Sequence, residues 1–390
     1  MGTRLRILWS CICGVVALTS ATGGAAPTDP ALRWTHRAEG WGEPAAAGSL
    51  AYFMTRQHEV VALDATTGAL RWRVSTGGAG NAPWGSAIRV AGEVLVVGDG
   101  GIVALDRASG QRRWGLAPEG GALGPFLGAA IGMLVHVGSA DGRIVAIDMP
   151  TGQVQWTGRV DDTAGTTVYA PIAVGDTVVA TYRRHGLTPA GGLAAFDGRG
   201  RRLWRRALRP GVGAAGPPVA VGSVLVLAGT DGTLTCWDAR TGLARGTLSS
   251  PEPGGPDVRR PPAAPIRAMA GVGNLLVAGS LTGRVVAYDV RTRREAWRFH
   301  HPDGVATLRL HADATTVYAP FTDDTLIALD ASTGRERWRL GGPDRRVEWP
   351  PASDGHAVYV AGADTLMALV PAGIPPATGL DVAPTTALPH

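Results

Sequence analysis

The segment VALDATTGALRW (61–72) decides the fold. An apolar run ends at Asp64, a tight turn carrying Gly68 follows, and a second short run delivers Trp72. The same template returns as VALDRASGQRRW (103–114), VAIDMPTGQVQW (145–156), AAFDGRGRRLW (194–204), TCWDARTGLARG (235–246), VAYDVRTRREAW (286–297) and IALDASTGRERW (327–338). Each part has a physical reason. An Asp at a turn start accepts hydrogen bonds from the backbone amides of its own turn, and Gly takes the left-handed conformation that side chains resist. Trp is large enough to fill a wedge between neighbouring sheets, and its indole N–H is free to bond a backbone carbonyl.

Outward from each copy the pattern extends upstream. An apolar run such as Val94–Val97 leads through a hairpin turn at Gly100-Gly101 into the template, and a shorter run precedes it, as in Ala170–Val174 before Gly175-Asp176. That makes four strands per unit, A to D. The positions 72, 114, 156, 204, 246, 297 and 338 are 42, 42, 48, 42, 51 and 41 residues apart. Four strands at a period near forty is the signature of a propeller blade.

The ends set the count. After Trp338 come three further strands at 350–354, 356–361 and 364–370, but Val370-Pro371 stands where the Asp and last strand should follow. Ala31-Leu32-Arg33-Trp34 is a stray last strand, 38 residues before Trp72. The expectation is an all-β, eight-bladed β-propeller of four-stranded antiparallel blades over 31–371, closed by the N-terminal strand in the last blade. A seven-bladed ring with a loose C-terminal unit leaves Trp34 unexplained. Residues 372–390, rich in Pro, Ala and Thr and without periodicity, read as a flexible tail.

The chain has 390 residues, with Gly 56 and Pro 28, as many short strands and turns require. Residues 1–25 read as a secretory signal peptide: Arg4 and Arg6, an apolar stretch from Leu5 to Leu18, then small residues to Ala26. The apolar run is too short for a membrane-spanning helix. Signal removal takes Cys11 and Cys13 and leaves Cys236 alone, so an exported form has no internal disulfide. It also lowers the formal charge from +5 to +3, too small a balance to argue for nucleic acid. The expected location is periplasmic or extracellular, with no transmembrane segment in the mature chain.

The segments 63–72 and 329–338 resemble the tryptophan-docking repeat of the quinoprotein (PQQ-type) family, and the resemblance extends over 31–371. It implies a propeller fold in several functional settings. PQQ-dependent dehydrogenases imply calcium, a catalytic Asp and an adjacent cysteine pair, and no Cys-Cys pair exists in this sequence. The outer-membrane assembly factor BamB is more similar in length and in lacking large insertions. It is a lipoprotein, whereas Leu8-Trp9-Ser10-Cys11 sits too early for a lipid-attachment box.

Motifs outside the repeat carry little chemistry. Gly211–Gly216 matches G-x-G-x-x-G, but Pro217-Pro218 and a strand follow where a phosphate-binding helix is needed. His300-His301 reads as a solvated turn rather than a metal site, and Cys236 as a small core residue. Neither a catalytic residue nor a metal ligand is assigned, and neither PQQ nor calcium is expected.

Two departures from the repeat are candidates. The extra residues of the 48-residue unit fall around Tyr182–Gly192, a B–C loop with Arg183, Arg184 and His185. Those of the 51-residue unit fall around Ser249–Pro262, a D–A loop with Arg259 and Arg260. B–C and D–A connections share one face of a propeller, so both insertions offer a basic rim to an acidic partner. Separately, Trp41, Trp84 and Trp349, with Tyr169 at the matching place in blade 4, lie at the entrance of innermost strands, where indoles either stack a small planar ligand or pack as a plug. Glu43 and Glu348 lie beside them. The expected function is a non-catalytic exported scaffold that binds cell-envelope proteins. The alternatives are a ligand-binding or sensor propeller with a Trp-lined channel mouth, and a PQQ-dependent oxidoreductase.

Overall fold

The computed structural model describes residues 29–77, 87–99, 101–116, 123–161, 163, 165–186, 190–248, 266–303, 309–341, 347 and 349–371. The signal segment, the tail after 371, Trp84, Glu348, Arg259 and Arg260 lie outside these.

The chain forms eight antiparallel sheets. Blade 1 runs outward from Ala45–Ala47 (strand A) through Leu50–Met54 and Glu59–Asp64 to Leu70–Ser75 (strand D). The last blade places Ala31–Arg37 outermost, beside Thr365–Val370, then Val358–Ala361 and Ala352–Ser353. Trp34 pairs with Ala368, so the first strand closes the ring as expected. One blade departs from four strands. In blade 4 the innermost strand is split into Thr166–Val168 and Ile172–Val174, both paired with Thr177–Arg184, because Pro171 between them has no amide to donate to a ladder.

Strands B and C are buried on both faces, which is why they read as continuous apolar runs rather than alternating ones. Each blade packs its face on the next. At the ring closure Trp34, Phe53, Leu63, Tyr359 and Leu366 form one cluster of buried residues.

The template residues stitch blade to blade. The indole N–H of Trp34 donates to the carbonyl of Ala65 in blade 1 at 3.0 Å, and Trp72, Trp114, Trp156, Trp204 and Trp297 repeat the bond to Arg107, Met149, Gly198, Ala239 and Ala331. The ring lies against the turn glycine of the neighbouring blade: a Cβ added to Gly68, at φ 73°, would stand 2.7 Å from Trp34. Between strands C and D every blade carries a bulge one residue before the Trp position. A bulge re-aims the extra side chain. In blades 1, 2, 5 and 7 that residue is an arginine turned onto the template Asp: Arg71 on Asp64 at 2.7 Å, Arg113 on Asp106 at 2.5 Å, Arg245 on Asp238, and Arg337 on Asp330 at 2.6 Å.

Candidate functional site

In a four-stranded antiparallel meander the B–C and D–A connections emerge on one face of the ring and the A–B and C–D turns on the other. The face with the B–C and D–A connections holds most of the residues singled out by sequence, and three blade junctions there carry a buried polar contact.

Between blades 3 and 4, Asp161 on the D–A connection has a side chain only 3% exposed and pairs with Arg184 and, at 3.0 Å, with Arg205. Burial raises its pKa, but the hydrogen bond and charge of Arg184 outweigh that and leave it below the ordinary carboxylate value. Arg184 is therefore turned toward the ring, with its charge matched internally. His185 beside it is exposed and bonds the Thr167 hydroxyl through Nε2 at 2.7 Å. Arg183 is half-buried, and its Nε has no hydrogen-bond partner among the described residues.

Between blades 6 and 7, the His pair diverges. His300 ends strand D and is exposed, while His301 is 1% exposed and packs its ring on Phe321 at 4.6 Å. The expected solvated turn is corrected here: His301 roofs the B–C loop of blade 7 and leaves only its neighbour in water. Asp303 and Asp323 lie close enough to share an ion with it. The Asp303 amide donates to its Nδ1 at 3.3 Å, and its Nε2 lies 3.3 Å from Asp323 and 3.4 Å from the Thr325 hydroxyl. Between blades 1 and 2, His58 Nδ1 sits 3.0 Å from both oxygens of the buried Asp99 carboxylate, which also accepts the Thr76 hydroxyl at 2.6 Å.

At the entrance to the central channel, Trp41 of blade 1 and Trp349 of blade 8 meet edge to face, with ring centroids 5.4 Å apart. The guanidinium of Arg56 lies 4.6 Å over Trp41, and that of Arg309 lies 5.1 Å over Trp349. Trp349 is only 8% exposed. Below them the Glu43 carboxylate stands 4.0 Å from both Arg89 and His311. Burial lowers the pKa of His311 and of Arg309, with Glu43 acting against it in both. Tyr169 lies across the ring in blade 4, its hydroxyl donating to Ala214 O at 3.4 Å, and does not join the indole pair. Arg56, Arg309 and His311 are contributions the repeat does not announce: one is on a B–C loop, the others lead into or lie on the innermost strand of blade 7. The indole pair does not fit a planar cofactor stacked between its rings, because the two rings already meet each other and a guanidinium lies over each.

Beside this entrance, at the junction of blades 8 and 1, a cleft of about 410 Å³ is lined by Arg37, Glu39, Gln57, Glu59, Arg73 and Asp364 among others. Gln57 donates to Glu39 at 3.3 Å and Arg73 stands 3.7 Å from Glu59. The cleft is polar and of mixed charge.

The family model described as outer membrane protein assembly factor BamB matches residues 14–188, 189–259 and 281–372. The chain belongs to the BamB family. The matched segments reach all eight blades, and the gap between the second and third takes in the first two strands of blade 6, Ile266–Val272 and Leu275–Ser280. BamB from Moraxella catarrhalis is similar in structure, with a TM-score of 0.56 and 23% identity over 71% of this chain and 80% of that one. The quinohemoprotein alcohol dehydrogenase of Comamonas testosteroni has a TM-score of 0.65 at 16% identity, covering 90% of this chain and 78% of its own. A computationally designed protein, Ika8, gives 0.64 at 18% identity, covering 85% and 96%. No curated protein sequence matches the chain significantly. Identities this low carry the architecture alone, so the likeness to the dehydrogenase is one of fold.

Proposed function

We propose that this chain is a non-catalytic, exported scaffold of the cell envelope that binds protein partners through the face bearing its B–C and D–A connections. The observation that carries the reading is the match to the BamB family model along nearly the whole ring. The chemistry of the face supports it. Exposed His185, half-buried Arg183 and the mixed-charge cleft at the 8/1 junction are polar groups on a rigid frame, where loops commonly build contacts. The reading needs neither PQQ nor calcium.

Pull-down of the tagged full chain from crosslinked envelopes tests it. Envelope proteins should be enriched, and Arg183→Glu with His185→Glu should reduce that enrichment while the fold persists. Absence of enrichment, or PQQ-dependent dye reduction by the purified chain, would overturn the reading.

A further inference from the structure

The outer edge of blades 4, 5 and 6 carries a charge that the rest of the ring does not. From the template Asp through strand D, the segments 197–207, 238–248 and 289–300 hold eleven arginines against four carboxylates. That excess of seven is larger than the net charge of the whole chain, +5, so the remainder is slightly negative. The template explains part of the concentration. Two residues after the Asp, at the tip of the C–D turn, these three blades place Arg199, Arg240 and Arg291, where the other copies have Thr66, Ala108, Pro150 and Ser332.

The three tips belong to one continuous surface. Arg206 of blade 4 donates to the carbonyls of Thr241 and Gly242 in the turn of blade 5, and Arg293 of blade 6 donates to Arg245 O of blade 5. Arg199, Arg240 and Arg291 are exposed and make no ion pair among the described residues. Each is anchored by its backbone rather than its side chain, its amide donating to the template Asp at 3.1, 3.1 and 2.8 Å. Between them stand two exposed apolar side chains, Leu203 at 42% and Leu243 at 60%.

We propose that this rim docks on an anionic phospholipid surface. The three C–D turn tips lie at the rim of one face of the ring, and guanidinium groups spread over three successive blades with leucines between them suit a flat negative bilayer. Such a surface requires no pocket: juxtaposed arginines gain from the lipid charge and exposed leucines from the acyl boundary. A protein partner gains most from a buried anchor in a fitted pocket, which a row of exposed turn tips does not offer. The inference goes beyond the scaffold reading and stands or falls separately from it.

Co-sedimentation of the full chain with phosphatidylglycerol-containing vesicles, against pure phosphatidylcholine, tests the proposal. Binding should require phosphatidylglycerol and be abolished by salt at about 0.5 M. The triple variant R199Q/R240Q/R291Q should bind at least about tenfold more weakly, and R199K/R240K/R291K should retain binding. Equal binding to neutral vesicles, no binding, or indifference to the glutamine triple variant would overturn it. Retention on an acidic protein matrix without vesicle binding would reassign the rim to a protein partner. Envelope pull-down of the same triple variant reports separately on the scaffold reading.

Discussion

The guanidinium of Arg293 reaches across from blade 6 to donate to the carbonyl of Arg245 at 2.5 Å, over the position where the template would place an indole and this chain has Gly246. Arg293 itself occupies the turn position held by glycine in the other complete copies, and it keeps their left-handed backbone, with φ 59°. The large and small residues have changed places across one junction, and a Cβ on Gly246 would meet the Arg293 guanidinium at 2.5 Å.

That reciprocity predicts non-additive mutants. Gly246→Trp alone overpacks the junction and should cost about 1–3 kcal/mol. Arg293→Gly alone opens it and should also destabilise. Together they rebuild the standard indole-on-glycine contact, and chemical denaturation should show a coupling of about 1 kcal/mol or more in favour of the pair. Simple additivity would refute the exchange.

The closing junction gives a second test. Trp34 is buried, fills the wedge over Gly68 and bonds Ala65. Trp34→Ala should lower stability by about 3–5 kcal/mol. Gly68→Ala should also destabilise, because its Cβ would strike the indole and its φ is positive. Urea titration of both variants is the measurement, and a Trp34→Ala protein of unchanged stability would mean that the first strand does not hold the ring.

Acid lability follows from the bulge clamps. The Arg71 hydrogen bond, helped by the turn amides, holds Asp64 down to about 2, and Asp106, Asp238 and Asp330 are likewise depressed. A carboxylate whose folded pKa is lowered stabilises the protein above its unfolded value, here 3.8, and that contribution is lost as pH falls toward the folded value. Unfolding monitored from pH 5 to pH 2 should therefore steepen below about pH 4, and Arg71→Met should shift the loss from its clamp to higher pH.

Arg184 and His185 should separate. Removing Arg184 leaves the buried Asp161 with Arg205 as its remaining ion-pair partner and should reduce thermal stability, with a cost of about 1–3 kcal/mol. His185→Ala removes an exposed contact and should leave the melting temperature within about a degree. Equal melting temperatures for the two variants would remove the distinction.

The channel entrance predicts a negative titration. With the Trp41 and Trp349 rings against each other and each capped by an arginine, PQQ or a simple quinone should leave tryptophan fluorescence unquenched beyond the inner-filter effect. Saturable quenching abolished by Trp41→Phe would favour the ligand-binding alternative.

The blades were legible because the Asp-turn-Trp template ties local chemistry to a long-range contact. Asp64, Gly68 and Trp72 each have a job that no other residue type does as well, so the repeat betrays both strand order and ring closure through Trp34. The site was less legible. Arg56 and Arg309 cap the indoles from B–C and D–A connections, where no period constrains the sequence, and only the closed ring brings them together. His301 looked like a surface residue because a pair of histidines at a strand end carries no sign of which one faces Phe321. The exchange between Gly246 and Arg293 was visible as two departures from the template, but their relation exists only across the junction. The split innermost strand of blade 4 depends on Pro171, which the sequence displays, yet the register that divides there is set by the neighbouring strand.

Because Ala31–Arg37 pairs with Thr365–Val370, the first strand of the propeller to leave the ribosome cannot find its partner until nearly the last one is made. Until then the apolar edge that Trp34 will cover stays open, and the contact that completes the ring has close to the greatest sequence separation the chain allows. Contacts of that separation are slow to form. The fold thus carries its own checkpoint for completeness: a chain truncated before residue 365 lacks the seat for its own beginning and should be recognised by proteases as unfinished.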